Sequence, residues 1–330
     1  MAEKTLDVVA VGNAIVDVLC ETDDSFLSAH GLPKGGMTLI DEGQAKALYA
    51  AMPAGVESSG GSAANTIAGI AALGGRAGFI GRVRNDQLGN IFRHDITAIG
   101  ATYTTPAVST GPATARCLIL VSPDAERTMC TYLGASVQLD RTDLNPALVG
   151  QAKVLYLEGY LWDNLAARQA FLAAAEMART AGTRVALSLS DGFCVDRHRE
   201  SFLELVEQHI DLLFANEAEI TSLYRVDDFE SAVERLRDHC PLAVLTQGAR
   251  GSVVLGPDGE RHQVGCVSFG ALRDTTGAGD LYAAGFLHGY TRGKSLDRCG
   301  QLGAIAAGEV VTHLGPRPQA DLQALVARSI

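Results

Sequence analysis

Near the C-terminal end, Asp274-Thr275-Thr276-Gly277-Ala278-Gly279-Asp280 closes a run of small residues with a carboxylate. Behind it, Leu281, Ala284, Phe286, Leu287 and Tyr290 have the spacing of one broad apolar helix face. The stretch is therefore a glycine-rich loop opening onto a helix, with Asp280 in its first turn. Small side chains leave the backbone N–H groups of Gly277, Ala278 and Gly279 uncovered, and the positive end of the helix dipole adds to them. Together they make a seat for phosphate oxygens. The same helix end favours Asp280 in its ionised form. A phosphate seat beside an ionised carboxylate suits transfer of a phosphoryl group to a hydroxyl. Asp after glycine is also a common N-terminal cap, so this chemistry requires an acceptor site and a nucleotide site elsewhere in the chain.

Further polar sets lie just after apolar strand patterns, where an open α/β sheet places its ligands. Asn13 and Asp17 follow the first strand, and an amide near a carboxylate can grip neighbouring hydroxyls, as on a sugar ring. Gly60-Gly61-Ser62-x-x-Asn65 offers bare backbone at a helix start with an amide one turn on; a tight turn with a cap has the same appearance. Asn216-x-x-Glu219 puts two polar side chains on one helical face, suited to phosphates and a hydrated Mg²⁺. Thr246-Gln247-Gly248-x-x-Gly251 offers a hydroxyl and open N–H groups to an anion. Gly289 to Ser295 imitates a P-loop, but it has three residues between its glycines and a helix before it, so it reads as a helix stop.

The elements that must carry these groups alternate. Strands are expected at 6–11, 77–81, 153–157, 184–189, 212–215, 242–246 and 252–255. Helices are expected at 66–73, 87–99, 165–180 and 200–209 and from Glu217, Phe229, Leu281, Leu296 and Asp321. Such β-then-α alternation implies an α/β fold, a mostly parallel sheet covered by helices on both faces. Residues 14–20, 37–40 and 101–133 are β-prone yet outside that alternation, with a hairpin turn expected at 122–126. They make a small separate sheet. No linker marks a boundary, so residues 1–330 are expected to form a single domain.

A formal charge of −11 on 330 residues argues against nucleic acid as a partner, since no basic excess meets the phosphates. Seven scattered cysteines without a C-x-x-C pair indicate neither zinc nor a disulfide framework, and a cytoplasmic home is expected. The N-terminal residues show no signal-peptide pattern and no apolar run is long enough to span a membrane. After Gly12 the chain does not continue into G-x-G-x-x-G, which disfavours a nicotinamide oxidoreductase.

Taken together, Gly60 to Thr66 running on to Gly74 and Gly81, and Asp274 to Asp280 with its helix, resemble the ribokinase (PfkB-type) family of carbohydrate and nucleoside kinases. Gly12-Asn13-x-x-x-Asp17, Asn216-x-x-Glu219 and Thr246-x-Gly248-x-x-Gly251 stand in the family's order, so the resemblance covers nearly the whole chain. It implies a ribokinase-like domain with the small sheet as a lid, ATP and Mg²⁺ as cofactors, and Asp280 as the base that activates the acceptor hydroxyl. Gly277, Ala278 and Gly279 would be the anion hole. Asn13, Asp17, Gly60, Gly61 and Asn65 would hold the acceptor. Asn216, Glu219 (through water to Mg²⁺), Thr246, Gly248 and Gly251 would hold the MgATP phosphates, and Ala307 and Gly315 lie in the segment resembling the adenine-side loop. Some members also use a monovalent cation such as K⁺ near the residues matching Asp274 and Thr276. Thr114 to Cys117 and the aromatic Tyr160 and Trp162 look more like the adenosine kinase branch, so Cys117 and Tyr160 join the acceptor set. Thr276, by contrast, stands where adenosine kinases often carry Asn. Adenosine is the first expected acceptor and a simple sugar the second; a non-catalytic sensor on this fold would have no use for Asp280. The small sheet's free edge is a place for two subunits to pair.

Overall fold

The computed structural model describes residues 3–124 and 126–330. Ala125, inside the expected turn at 122–126, lies outside them, as do Met1 and Ala2 at the head of the segment read for a signal peptide.

Strand Leu6–Val11 lies deep in a nine-stranded sheet. Its buried run Val8 to Val11, with Ala77–Ile80 on one side and Ala152–Glu158 on the other, is the near-continuous apolar stretch of a sheet covered on both faces. Beyond Ala152–Glu158 come Arg184–Ser188, Leu212–Asn216 and Ala243–Thr246, all parallel, and then the antiparallel pair Ser252–Leu255 and Arg261–Val264. Two apolar clusters fill the faces. One holds Ile67, Phe79, Tyr156 and Phe286, the other Leu155, Phe171, Phe202 and Leu245. The α/β fold with a mostly parallel sheet, a second small sheet and helices on both faces is therefore as the sequence indicates.

Parallel topology aligns the strand C-terminal ends, so Asn13, Glu158, Ser188, Asn216 and Thr246 come out at one edge. Over that edge stands a five-stranded sheet in the order Met37–Leu39, Arg127–Tyr132, Ala115–Val121, Ile15–Glu21, Val56–Gly60. Its membership corrects the sequence reading twice. Thr102–Tyr103 pairs with Ala77–Ile80 and so belongs to the large sheet, where the Tyr103 ring packs on Phe79 and Phe92. Val56–Gly60 is a strand, antiparallel to Ile15–Glu21, although Val-Glu-Ser-Ser-Gly has no strand propensity to speak of. Pairing with a well-formed neighbour decides it.

The long connection between Arg184–Ser188 and Leu212–Asn216 also differs from expectation. Its helix runs Gly192–His209, not 200–209, because Asp191 caps the N–H groups of Phe193 and Cys194 and the helix tolerates a kink at His198. The P-loop imitation is a helix end: Tyr290 closes one helix, Gly293 takes φ 67°, and Ser295 caps the next.

Candidate active site

A cavity of about 700 Å³ opens at the strand ends, between the two sheets. It is lined by Asn13, Asp17, Gly61, Asn65, Cys117, Tyr160, Asn216, Glu219, Thr246, Thr276, Gly277, Gly279 and Asp280. The tertiary fold thus gathers groups spread over more than 260 residues of chain. The other residues expected at the site stand behind or beside this wall. Gly60 lies against the Asp17 carboxyl, where no side chain fits, and Ala278 begins the helix Ala278–Tyr290. Gly248 opens a short turn that ends at Gly251. Gly308, next to Ala307, packs on the Val267 backbone, and Cys266 reaches the Gly248 carbonyl at 3.1 Å. Gly315 and Asp274 are joined by a hydrogen bond of 3.0 Å.

The glycine loop is built as its composition requires. Gly277 caps the helix in the left-handed region, at φ 78°, and a Cβ there would lie 2.7 Å from Pro316 Cβ. Only glycine satisfies both conditions. Asp280 then falls on the first turn, with Ser62 Oγ donating to its Oδ1 at 2.6 Å and Asn65 Nδ2 to its Oδ2 at 3.0 Å. Burial raises the Asp280 carboxyl above its ordinary value, against the pull of Ser62, Asn65 and Arg317. Asn65, expected at the acceptor, therefore also holds Asp280.

Glu158, Ser62, Arg127 and Arg317 stand at or behind the site without having been singled out in the sequence. Glu158, at the C-terminal end of its strand, accepts from Asn13 Nδ2 at 2.6 Å and from the Ala63 N–H at 2.8 Å. It ties the first strand to the start of helix Ser62–Ala72. An acid closing the apolar run Val-Leu-Tyr-Leu was a usable signal. Ser62 sat inside a motif read for its glycines. Arg127 and Arg317 act at a distance in sequence: both charges are felt at Asp17, and Arg317 is felt also at Asp280. Nothing in the chain's local pattern pairs Arg127 with a loop 149 residues later.

Asp17, Glu158, Asp191, Glu219 and Asp280 all face this one cavity, and among the described residues no Lys, Arg or His forms an ion pair with any of them. Burial pushes Asp17, Glu158 and Glu219 each up to about 7. Glu219 spends its hydrogen bonds on a reciprocal cap with Asn216, 2.6 Å from Asn216 Nδ2 and 3.0 Å from its N–H, and keeps lone pairs to spare. A hydrated Mg²⁺ fits such a donor set of hard oxygens that no ion pair occupies. A monovalent cation at Asp274 and Thr276 does not fit. Asp274 Oδ1 takes Thr276 N and Oγ1, Oδ2 takes the Gly315 N–H, and Arg127 Nη2 lies 2.8 Å from Oδ2.

The raised carboxylates set a pH dependence with a definite sign. Between their ordinary values near 4 and about 7, the native protein holds protons that the unfolded chain has released. Stability therefore falls as pH rises through that window. His288, lowered to about 4 by burial, works in the opposite sense below 6.5, a single group against the raised carboxyls. Ligand-free protein is accordingly expected to melt at a higher temperature near pH 6 than near pH 8 in calorimetry (about one pH unit to either side of the raised values). A melting temperature that is flat or rises over that interval would mean these carboxyls titrate normally.

Comparison with known proteins identifies the family. Residues 38–322 match the family described as pfkB family carbohydrate kinase. The crystal structure of adenosine kinase from Sinorhizobium meliloti superposes with a TM-score of 0.90 at 48% identity, covering 98% of this chain and 99% of that one. A probable sugar kinase from Rhizobium etli CFN 42 gives 0.91 at 46% identity, covering 99% of each. A 5-dehydro-2-deoxygluconokinase from Geobacillus thermodenitrificans is 28% identical over 272 residues, 77% of this chain and 78% of its own. The chain belongs to the pfkB family of carbohydrate kinases and is a sugar or nucleoside phosphotransferase.

Proposed function

We propose that this enzyme transfers the γ-phosphoryl group of ATP to the primary hydroxyl of a nucleoside, adenosine in the first place, giving AMP. The observation that carries the nucleoside reading is the roof of the cavity. The small sheet turns Ile15, Met37, Leu39, Cys117, Ile119 and Met129 toward it, and Met37 and Leu39 are 54% and 61% exposed. A sugar alone has hydroxyls on every side and would leave that apolar surface wet. A purine covers it, with about 25 cal/mol gained per Å² withdrawn from water. Likeness at 48% identity to a protein described as an adenosine kinase points the same way. A sugar acceptor is the second reading, favoured by the similar probable sugar kinase and by a polar floor that any vicinal diol satisfies. An ATP-consumption screen over nucleosides and simple sugars decides: adenosine is expected to show the highest kcat/KM, and a sugar surpassing it would overturn the nucleoside reading.

In this reading Asp17, with Asn13, Gly61 and Asn65, grips the ribose hydroxyls, and Cys117 and Tyr160 flank the base. Asp280 takes the proton of the attacking hydroxyl as its oxygen bonds to the γ-phosphorus. The bond from that phosphorus to the β–γ bridging oxygen breaks and ADP leaves, while the N–H groups of Gly277, Ala278 and Gly279 face the charge that develops. Asn216, Thr246, Gly248 and Gly251 line the phosphates' path, Ala307 and Gly315 flank the adenine, and Glu219 holds the water shell of Mg²⁺. Bound Mg²⁺ neutralises the phosphate oxygens. The seven unpaired thiols, six of them buried, suit a reducing compartment such as the cytoplasm. The start of the small sheet's outer strand Val56–Gly60, with Val56 71% exposed, offers an edge for a second subunit, while Asp95 and Arg317 hold the Ser59 backbone farther along.

A kinase that leaves water beside the γ-phosphate hydrolyses ATP, so the small sheet must cover the acceptor during transfer. Acceptor is expected to slow amide exchange across 115–121 and 127–132 much more than ATP alone does. Equal protection by ATP alone would remove the lid from the reading.

A further inference from the structure

Asp274 and Thr276 precede the anion-hole glycines, and every side-chain oxygen they own is engaged. Asp274 Oδ1 accepts from Thr276 N at 3.0 Å and from Thr276 Oγ1 at 2.8 Å, and Oδ2 accepts from the Gly315 N–H at 3.0 Å. Arg127 completes the set. Its Nη2 is 2.8 Å from Asp274 Oδ2 and its Nη1 donates to Thr276 Oγ1 at 3.3 Å. The two charged side chains are 7% and 6% exposed, so this pair is sealed from water. A potassium ion on these oxygens would have to displace N–H donors and sit against the Arg127 guanidinium.

We infer that Arg127 is itself the cation of the anion-hole loop, occupying the place beside Asp274 and Thr276 that a monovalent ion would take, so that phosphotransfer needs no such ion. The inference rests on the phosphotransferase reading of the site. It also makes the loop depend on the small sheet, because Arg127 is the first residue of strand Arg127–Tyr132. One guanidinium holds Thr276, next to Gly277, and Asp274, which fastens Gly315; Pro316 in turn packs on Gly277. A loose ion would position the same oxygens whether or not the sheet were in place. A side chain carried by the sheet does so only when the sheet is seated, so the phosphate seat and the acceptor's cover are assembled together.

The test measures initial rates and thermal unfolding in K⁺, NH₄⁺ and Na⁺ against tetramethylammonium, at constant ionic strength, for the wild type and for Arg127→Ala. Wild type is expected to give one rate and one melting temperature in all four. Arg127→Ala is expected to lose roughly 10²–10³ in kcat, as when a single charge-stabilising donor is removed. It should regain part of that loss, and a higher melting temperature, in K⁺ or NH₄⁺ but not in tetramethylammonium. Saturable K⁺ activation or a K⁺-specific rise in melting temperature in the wild type overturns the inference. So does a folded Arg127→Ala that is indifferent to the ion in both measurements. If that variant does not fold, the wild-type series decides alone. Absence of phosphotransfer to any acceptor would sink the kinase reading while leaving the melting arms to judge Arg127.

Discussion

Asp280→Asn is expected to lower kcat by roughly 10²–10⁴ while leaving the fold and the affinity for MgATP near normal, the usual cost of losing a general base. The amide has the shape of the carboxylate and remains within reach of Ser62 and Asn65, which now meet Oδ1 and Oδ2 at 2.6 and 3.0 Å. It cannot accept the acceptor's proton. Steady-state rates with both substrates, alongside a melting curve of the variant, check this. Turnover close to wild type in a well-folded variant would reduce Asp280 to a helix cap. Burial raises the Asp280 carboxyl, so its protonated fraction at mildly acidic pH exceeds that of an ordinary aspartate. The acid limb of kcat should accordingly lie above the usual carboxylate range.

Asp17→Ala is expected to raise the acceptor KM by roughly 10–100-fold and to leave ATP binding unchanged. The hydroxyls lose a charge-assisted partner worth about 1.5–3 kcal/mol. Asp17 sits on strand Ile15–Glu21, opposite Cys117 in one direction and Ser58 in the other, so its position is set by the small sheet on both sides. Gly60 leaves room for the carboxyl where any side chain would collide. With burial holding Asp17 near 7, the wild-type acceptor KM should also climb as pH falls below about 7, because the neutral acid loses the ionic part of its grip. Titration of acceptor and of ATP separately distinguishes the outcomes: weakened ATP binding with the acceptor KM intact would place Asp17 at the other substrate.

The sequence by itself determined what periodicity and local geometry govern. Short apolar runs such as Val8 to Val11 and Val154 to Leu157 read as strands buried on both faces, and their alternation with helices points to a parallel sheet. That topology lines up the strand ends, which is why the offsets of Asn13, Asn216 and Thr246 alone place them together along one cavity wall. The glycine loop was legible for a similar reason, since Gly277 has a backbone requirement that no other residue meets. Tertiary structure alone decided what depends on partners far away in the chain. Val56–Gly60 is a strand only because Ile15–Glu21 lies beside it, and Thr102–Tyr103 joined the large sheet because Tyr103 finds Phe79 and Phe92 there. The charge balance of the site belongs to the same class. Glu158 is desolvated by walls contributed from other segments, and Arg127 reaches Asp274 from a strand of the small sheet. Periodicity is a property of neighbours in sequence, whereas desolvation and ion pairing are properties of neighbours in space.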